Sequence, residues 1–216
     1  MMTLSRHAEA KAMLSWFQDR DLVAARSWFH VSASLDQRLF REEPDTAEPG
    51  AKFFQLLKPL VSNDDALVRW FATFEVTYDP VRVENRRLQD FWAYQGVLCI
   101  RGEWDRVIRR SQEAIQAQDI FAKAYLPDFN FALALATGNV DGMENALREM
   151  TGPGSLKARQ KDDSGYATGL ISTASVIYAK IAWRHGHKVS IDSPYIPLAW
   201  LECQPLATYA DPYNLS

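Results

Sequence analysis

The chain has 216 residues, 47% of them hydrophobic, and a formal net charge of −3. That length and apolar content are enough to bury one sizeable core, and seven Trp, eleven Phe and eight Tyr exclude a disordered chain, which would be poor in aromatics. The mild acidity argues against a nucleic-acid binder, which concentrates a basic surplus on one face.

The N-terminal residues 1–11 lack the basic-then-apolar run of a secretory signal, and no segment reaches 18 uninterrupted apolar residues, so a cytoplasmic protein with no membrane partner is expected. Ala10, Met13, Leu14 and Phe17 recur at helical spacing and predict a first amphipathic helix, with His7 on its apolar face. Asp21 is placed to cap a second helix with the stripe Ala25, Trp28, Phe29, Ser32, Leu35 and Leu39, and the two helices should form an antiparallel hairpin. His30 on this helix has no partner nearby in sequence. Glu43-Pro44-Asp45 and Glu48-Pro49-Gly50 mark a polar loop.

Phe53, Leu56, Leu57 and Leu60 predict a helix that Pro59, lacking a backbone donor, should end or kink near Lys58. Ser62-Asn-Asp-Asp65 has the form of a capping box opening a helix with Leu67, Trp70, Phe71, Phe74 and Tyr78 inward, and Asp79-Pro80 should stop it. Leu88, Phe91, Trp92, Gln95 and Cys99 then lead to Gly102, followed by a helix with Trp104, Val107, Ile108, Ser111 and Ile115. A related pair has Phe129, Ala132, Leu133 and Ala136 before Gly138, and Val140, Met143 and Leu147 after it. The turns Gly102-Glu-Trp-Asp105 and Gly138-Asn-Val-Asp141 lie close to the tetratricopeptide period apart, but no third copy follows, so they read as two similar hairpins in one bundle rather than a repeat array.

Thr151-Gly-Pro-Gly-Ser and the charged run from Lys157 to Asp163 form the longest polar interruption. Leu170, Ala174, Ile177, Tyr178 and Ile181 rebuild a helix whose only charge before Arg184 is Lys180, which suits a central position. Lys188 to Ile191 reads as a short strand or an extended packing segment, and Pro194, Pro197, Pro205 and Pro212 preclude long regular structure beyond it. Tyr195, Ile196, Trp200 and Leu201 are expected to pack back onto the bundle. The fold class is therefore all-α, residues 1–216 forming a single-domain bundle of antiparallel helical hairpins with a Pro/Tyr-rich C-terminal tail.

No phosphate loop, dinucleotide fingerprint, nucleophile elbow or zinc-protease helix occurs, so neither enzymatic activity nor a cofactor is expected. His185-Gly-His187 with Asp192 could contribute metal ligands, but too few further Cys or His are nearby, and His185 at a helix end suits capping better. Cys99 and Cys203 fit buried, unreactive thiols better than a disulfide. Arg86, Arg87, Arg106, Arg109 and Arg110 are interleaved with Glu84, Asp90, Glu103, Asp105 and Glu113, which points to ordinary exposed faces and no nucleic-acid partner. The paired acids Glu42-Glu43, Asp64-Asp65 and Asp162-Asp163 read most simply as solvated or capping features.

The hairpin turns at Gly102 and Gly138, the helix ending in Ala182-Trp-Arg-His-Gly186 and the segment Ile191-Asp-Ser-Pro-Tyr-Ile-Pro resemble the immunity protein 49 family of bacterial polymorphic-toxin systems, over about Leu88 to Tyr213. The resemblance implies a protein that is not an enzyme and that neutralises a cognate protein toxin by stoichiometric occlusion, acting in the cytoplasm. It names no toxin and sets no oligomeric state. Glu42, Glu43, Asp45, Glu48, Asp64 and Asp65 form the candidate partner-binding surface, as an acidic edge suited to a toxin's charged cleft. The alternative is a tetratricopeptide-like adaptor that holds peptides on a concave helical surface.

Overall fold

The N-terminal hairpin sets the geometry on which the rest is built. Helix α1 (Met2–Phe17) and helix α2 (Leu22–Glu42) pack against one another, and Asp21 caps α2 by accepting from the Ala24 N–H at 2.9 Å. The α2 stripe is buried as its spacing predicts, apart from the partly exposed Trp28, but the α1 stripe is displaced. Ser5, Ala8, Glu9, Ala12 and Met13 face inward, Leu14 is 55% exposed, and His7 is exposed rather than on the buried face. Polar residues take inward positions because they serve a buried cation. Lys58 donates to Asp36 at 2.7 Å and to Ser5 at 3.2 Å, and lies 3.4 Å from Glu9, all four groups being shielded from water. Burial alone would lower the Lys58 pKa, yet Asp36 and Glu9 raise it above its ordinary value.

The computed structural model describes residues 2–43, 49–73, 78–117, 125–159 and 166–214. Helix α3 (Pro49–Gln55) starts at the proline that the sequence places in a loop, and α4 (Leu57–Ser62) follows after a break at Leu56. The break falls one turn before Pro59 because the missing N–H is the one that would reach the Gln55 carbonyl, so Pro59 becomes a first-turn residue of α4. Asn63 turns the chain at φ 64° and Asp64, not Ser62, caps α5 (Asp65–Ala72), its Oδ1 accepting from Ala66 and Leu67 at 2.8 and 3.0 Å. Ser62 instead donates to the Pro59 carbonyl. Asp79-Pro80 starts the short helix α6 (Pro80–Val83) instead of ending a long one, with Asp79 as its cap. Tyr78 is buried as expected, although outside a helix, while Phe74 lies outside the described residues.

Two hairpins follow, α7 (Gln89–Arg101) with α8 (Trp104–Ala117), and α9 (Leu126–Ala136) with α10 (Val140–Met150). Each turn is made by a glycine at positive φ, Gly102 at 70° and Gly138 at 69°, with paired bonds back to the helix: Glu103 N–H to Leu98 and Gly102 N–H to Cys99, then Asn139 N–H to Ala134 and Gly138 N–H to Leu135. Such a pair satisfies the orphan carbonyls at a helix end and needs a residue tolerant of the left-handed region. Gly96 serves a different purpose on α7, since a Cβ there would sit 2.6 Å from the Phe53 ring of α3.

The polar interruption after Met150 is only partly a loop. Helix α11 (Pro153–Arg159) occupies it, and Arg159 turns inward to pair with the fully buried Asp128, which also accepts from Trp92 Nε1 at 2.9 Å. Asp162 and Asp163 lie outside the described residues. Helix α12 (Thr173–Arg184) is central, with every residue from Thr173 to Ala182 buried, and Tyr178 packs between Phe53 and Phe131. Leu170 precedes this helix and is 40% exposed, so it is not part of the buried face. One cluster of buried apolar side chains runs from Ala12 to Leu201.

Residues 188–191 form no strand, and Val189 and Ile191 are buried. After the short helix α13 (Leu198–Leu201), the tail is held from three sides. Trp200 is fully buried at the end of the first hairpin, its ring 5.2 Å from Phe29, 6.1 Å from Trp16 and 6.2 Å from Phe17. Ile196 and Leu201 are buried with it, whereas Tyr195 is only partly so. Lys180 donates to the carbonyls of Trp200, Leu201 and Glu202 at 2.5–3.1 Å. Arg26 donates to Ala199, Glu202 and Gln204, and Asn63 to Glu202 and Gln204. Cationic and amide donors thus cap the free carbonyls that end α13. Cys99 is buried and its thiol pKa is pushed up to about 12 by burial, but Cys203 in this tail is exposed, contrary to the expectation for both thiols.

Candidate partner-binding surface

The six acids singled out from the sequence fare differently once folded. Glu42 and Glu43 lie exposed at the C-terminal end of α2, where the helix dipole disfavours a carboxylate. Glu42 is paired with Arg38 at 3.2 Å, both side chains half exposed, so the pair adds little to stability. Asp45 and Glu48 lie outside the described residues. Asp64 and Asp65 are occupied by the fold: Asp64 as the cap of α5, and Asp65 paired with Arg184 of α12 at 2.6 Å.

An open groove of about 590 Å³ runs between α2, the start of α5 and the tail, lined among others by His30, Arg38, Arg41, Asp64, Tyr209 and Asp211. It brings Asp64 and, through Arg38, Glu42 to a common edge. His30 stacks on the Tyr209 ring at 4.2 Å, with its Nδ1 3.2 Å from Asp64 Oδ2. Burial lowers the His30 pKa below its ordinary value, while Asp64 and Asp211 pull the other way. The Tyr209 hydroxyl donates to the Ser62 carbonyl at 2.8 Å, tying the tail to the end of α4. The sequence gives no local sign of the His30 site, because its partners come from α5 and from the tail.

A second groove, about 330 Å³, lies where α5, α7 and α12 end. Val68, Ala72 and Ile181 are buried in its floor, Ile100 is half-buried, and Arg69, Arg101, Arg184 and His185 line its walls. His185 is the C-cap residue of α12, as its position suggests, its backbone N–H bonded to Ile181 and Ala182. Its side chain reaches the end of α7, where Nε2 meets the Cys99 carbonyl at 2.8 Å. Burial lowers its pKa, and the neutral ring can donate this bond from Nε2. Among the described residues, no group of three or more His, Cys, Asp or Glu could hold a metal ion.

The basic residues of α8 are not all at an ordinary surface. Arg110 is fully buried, lying 3.8 Å over the Phe91 ring and donating to Gln95, Glu84 and the Phe91 carbonyl, and burial lowers its pKa to about 10. Arg106, Arg109 and Arg110 converge on Glu84 at 3.0–3.3 Å; burial would raise the Glu84 pKa, but these arginines hold it below its ordinary value. This cluster fastens the α6–α7 connection onto α8.

The sequence model of immunity protein 49 matches residues 65–200, well over half of the chain. The chain belongs to the immunity protein 49 family. The matched span starts at α5, earlier than the motifs of the hairpins indicate, and ends within α13. It contains both glycine-turned hairpins, the central α12 and every lining residue of the second groove, whereas Glu42, Glu43, Asp45, Glu48 and Asp64 precede it. No curated protein and no solved structure matches the chain. Among the described residues, no helix is long and apolar enough to cross a membrane.

Proposed function

We infer that this chain protects the cell that makes it by binding a cognate protein toxin in the cytoplasm and blocking its active site or substrate approach, one inhibitor to one toxin. The observation that carries this reading is the family match over residues 65–200. The placement of several groups with displaced pKa values agrees with a binding scaffold: Tyr78, Cys99, Tyr178 and Arg110 are buried in the packed interior, not gathered in a cleft as catalytic groups are. The proposed contact is the acidic edge of Glu42, Glu43, Asp45 and Glu48 with Asp64 and Asp65. Glu42 and Glu43 lie exposed at the end of α2, while Asp64 serves as a cap and Asp65 in an ion pair.

Electrostatic complementarity of this kind accelerates encounter and selects the partner, while buried anchors supply most of the affinity. Co-expression with the toxin encoded beside this gene should restore growth, and Glu42→Lys with Glu43→Lys should slow association, more so at low salt. A toxin that kills regardless of the folded protein would rule this reading out. The adaptor reading draws on one observation, the packing of α8 against α9, which sets the two hairpins side by side. A gene neighbourhood with assembly machinery and no toxin would favour it.

A further inference from the structure

The groove at the ends of α5, α7 and α12 is lined by four basic side chains, of which the fold commits three. Of its basic side chains, Arg101 is committed to the Ala72 carbonyl at 2.5 Å and to Glu103 at 3.2 Å, and the neutral His185 ring to the Cys99 carbonyl. These two satisfy helix-end carbonyls. Arg69 is different. It is exposed on α5, and its guanidinium has no hydrogen bond, ion pair or ring contact among the described residues. Arg184, across the groove, is 22% exposed and, among the described residues, pairs with the more exposed Asp65 at 2.6 Å. No acidic side chain lines the groove among the described residues, and its floor of Val68, Ala72, Ile100 and Ile181 is apolar.

A cationic rim over an apolar floor is complementary to a chain segment that offers a carboxylate beside an apolar side chain. We propose that this groove receives such a segment of the toxin, with its apolar side chain on the Val68–Ile181 floor and its carboxylate on Arg69, whose guanidinium is unpaired among the described residues. The assignment rests on the toxin-binding reading above and adds a site to it, on the opposite side of α5 from the groove that Asp64 lines. All of its lining residues fall within the span shared with the family, which the acidic edge at Glu42 and Glu43 does not.

The test uses the full chain and the purified toxin domain encoded beside its gene, with affinity and rates measured by biolayer interferometry. Arg69→Glu removes no contact among the described residues, so its melting curve should match wild type, and Arg6→Glu, at an exposed position on α1 outside both grooves, serves as control. Arg69→Glu should weaken binding by about tenfold or more and the control by less than about twofold, with recovery when the opposing toxin carboxylate is changed to Lys. Wild-type affinity in Arg69→Glu would overturn the groove assignment while leaving toxin binding intact. No binding by the folded wild-type chain would overturn the toxin reading and the groove together.

Discussion

Lys58 beneath the first hairpin and Lys180 beneath the tail are both buried amines, yet the fold satisfies them in opposite ways. Lys58 has two carboxylates, Asp36 and Glu9, and the serine hydroxyl of Ser5, and its pKa is raised. Lys180 has three backbone carbonyls and, among the described residues, no carboxylate contact, and burial lowers its pKa to about 7. In the first region a buried charge is neutralised, which locks the register of α1, α2 and α4. In the second, an amine without a counter-charge grips the end of α13, so the tail is held by hydrogen bonds and by Trp200. The hairpin should therefore tolerate the loss of one charge badly, and the tail should respond to pH.

The largest effect should come from deleting the tail. Removing residues from Ser193 onward exposes the sites of Ile196, Trp200 and Leu201, each worth about 1.5–3 kcal/mol of burial, and strips Lys180, Arg26 and Asn63 of their acceptors. Thermal melting should drop steeply, and a truncated chain as stable as the full one would show the tail to be dispensable for folding. Next comes Lys58→Met, which leaves Asp36 and Glu9 buried without a cation and should cost about 3–5 kcal/mol in urea unfolding at neutral pH. The triple variant with Glu9→Gln and Asp36→Asn should recover part of that loss. Lys180→Met should cost less, about 1–3 kcal/mol, since it leaves carbonyls rather than charges unpaired. Equal losses at the two lysines would erase the distinction between the regions.

The sign of the pH slope separates the two sites. The raised pKa of Lys58 means that its contribution is fully present below the unfolded value near 10.5 and is lost only as pH rises through the higher folded value. Lys180 behaves inversely. Between its folded pKa of about 7 and the unfolded 10.5 the unfolded chain binds the extra proton, so stability should rise with pH across that window. Urea titrations across it should show the rise in the wild type and a flatter profile in Lys180→Met. A slope unchanged by that substitution would assign the pH dependence to other groups.

How far the sequence could be read follows the same division. Helix α2 was legible because its apolar stripe and its cap agree, and the Gly102 and Gly138 turns were legible because the left-handed residue is a glycine. The α1 face was misplaced because Ser5 and Glu9 point inward to serve Lys58, a contact no periodicity of apolar residues can register. Pro59 announced a break but not its place, which depends on the carbonyl left without a partner. At the candidate surface, Asp64 and Asp65 were recognisable as acids but not as a cap and a cross-helix ion pair. The His30–Tyr209 stack and the Arg69 groove join residues far apart in the chain, so only the folded structure reveals them.

The central claim is that this member of the immunity protein 49 family silences a toxin by occupying it. Titrating a fixed amount of the neighbouring toxin with the purified chain, and following the toxin's own activity, tests that claim most directly. Stoichiometric occlusion predicts a linear fall that reaches completion at one chain per toxin. Full toxin activity in the presence of excess folded protein, or silencing by far less than one equivalent, would contradict it.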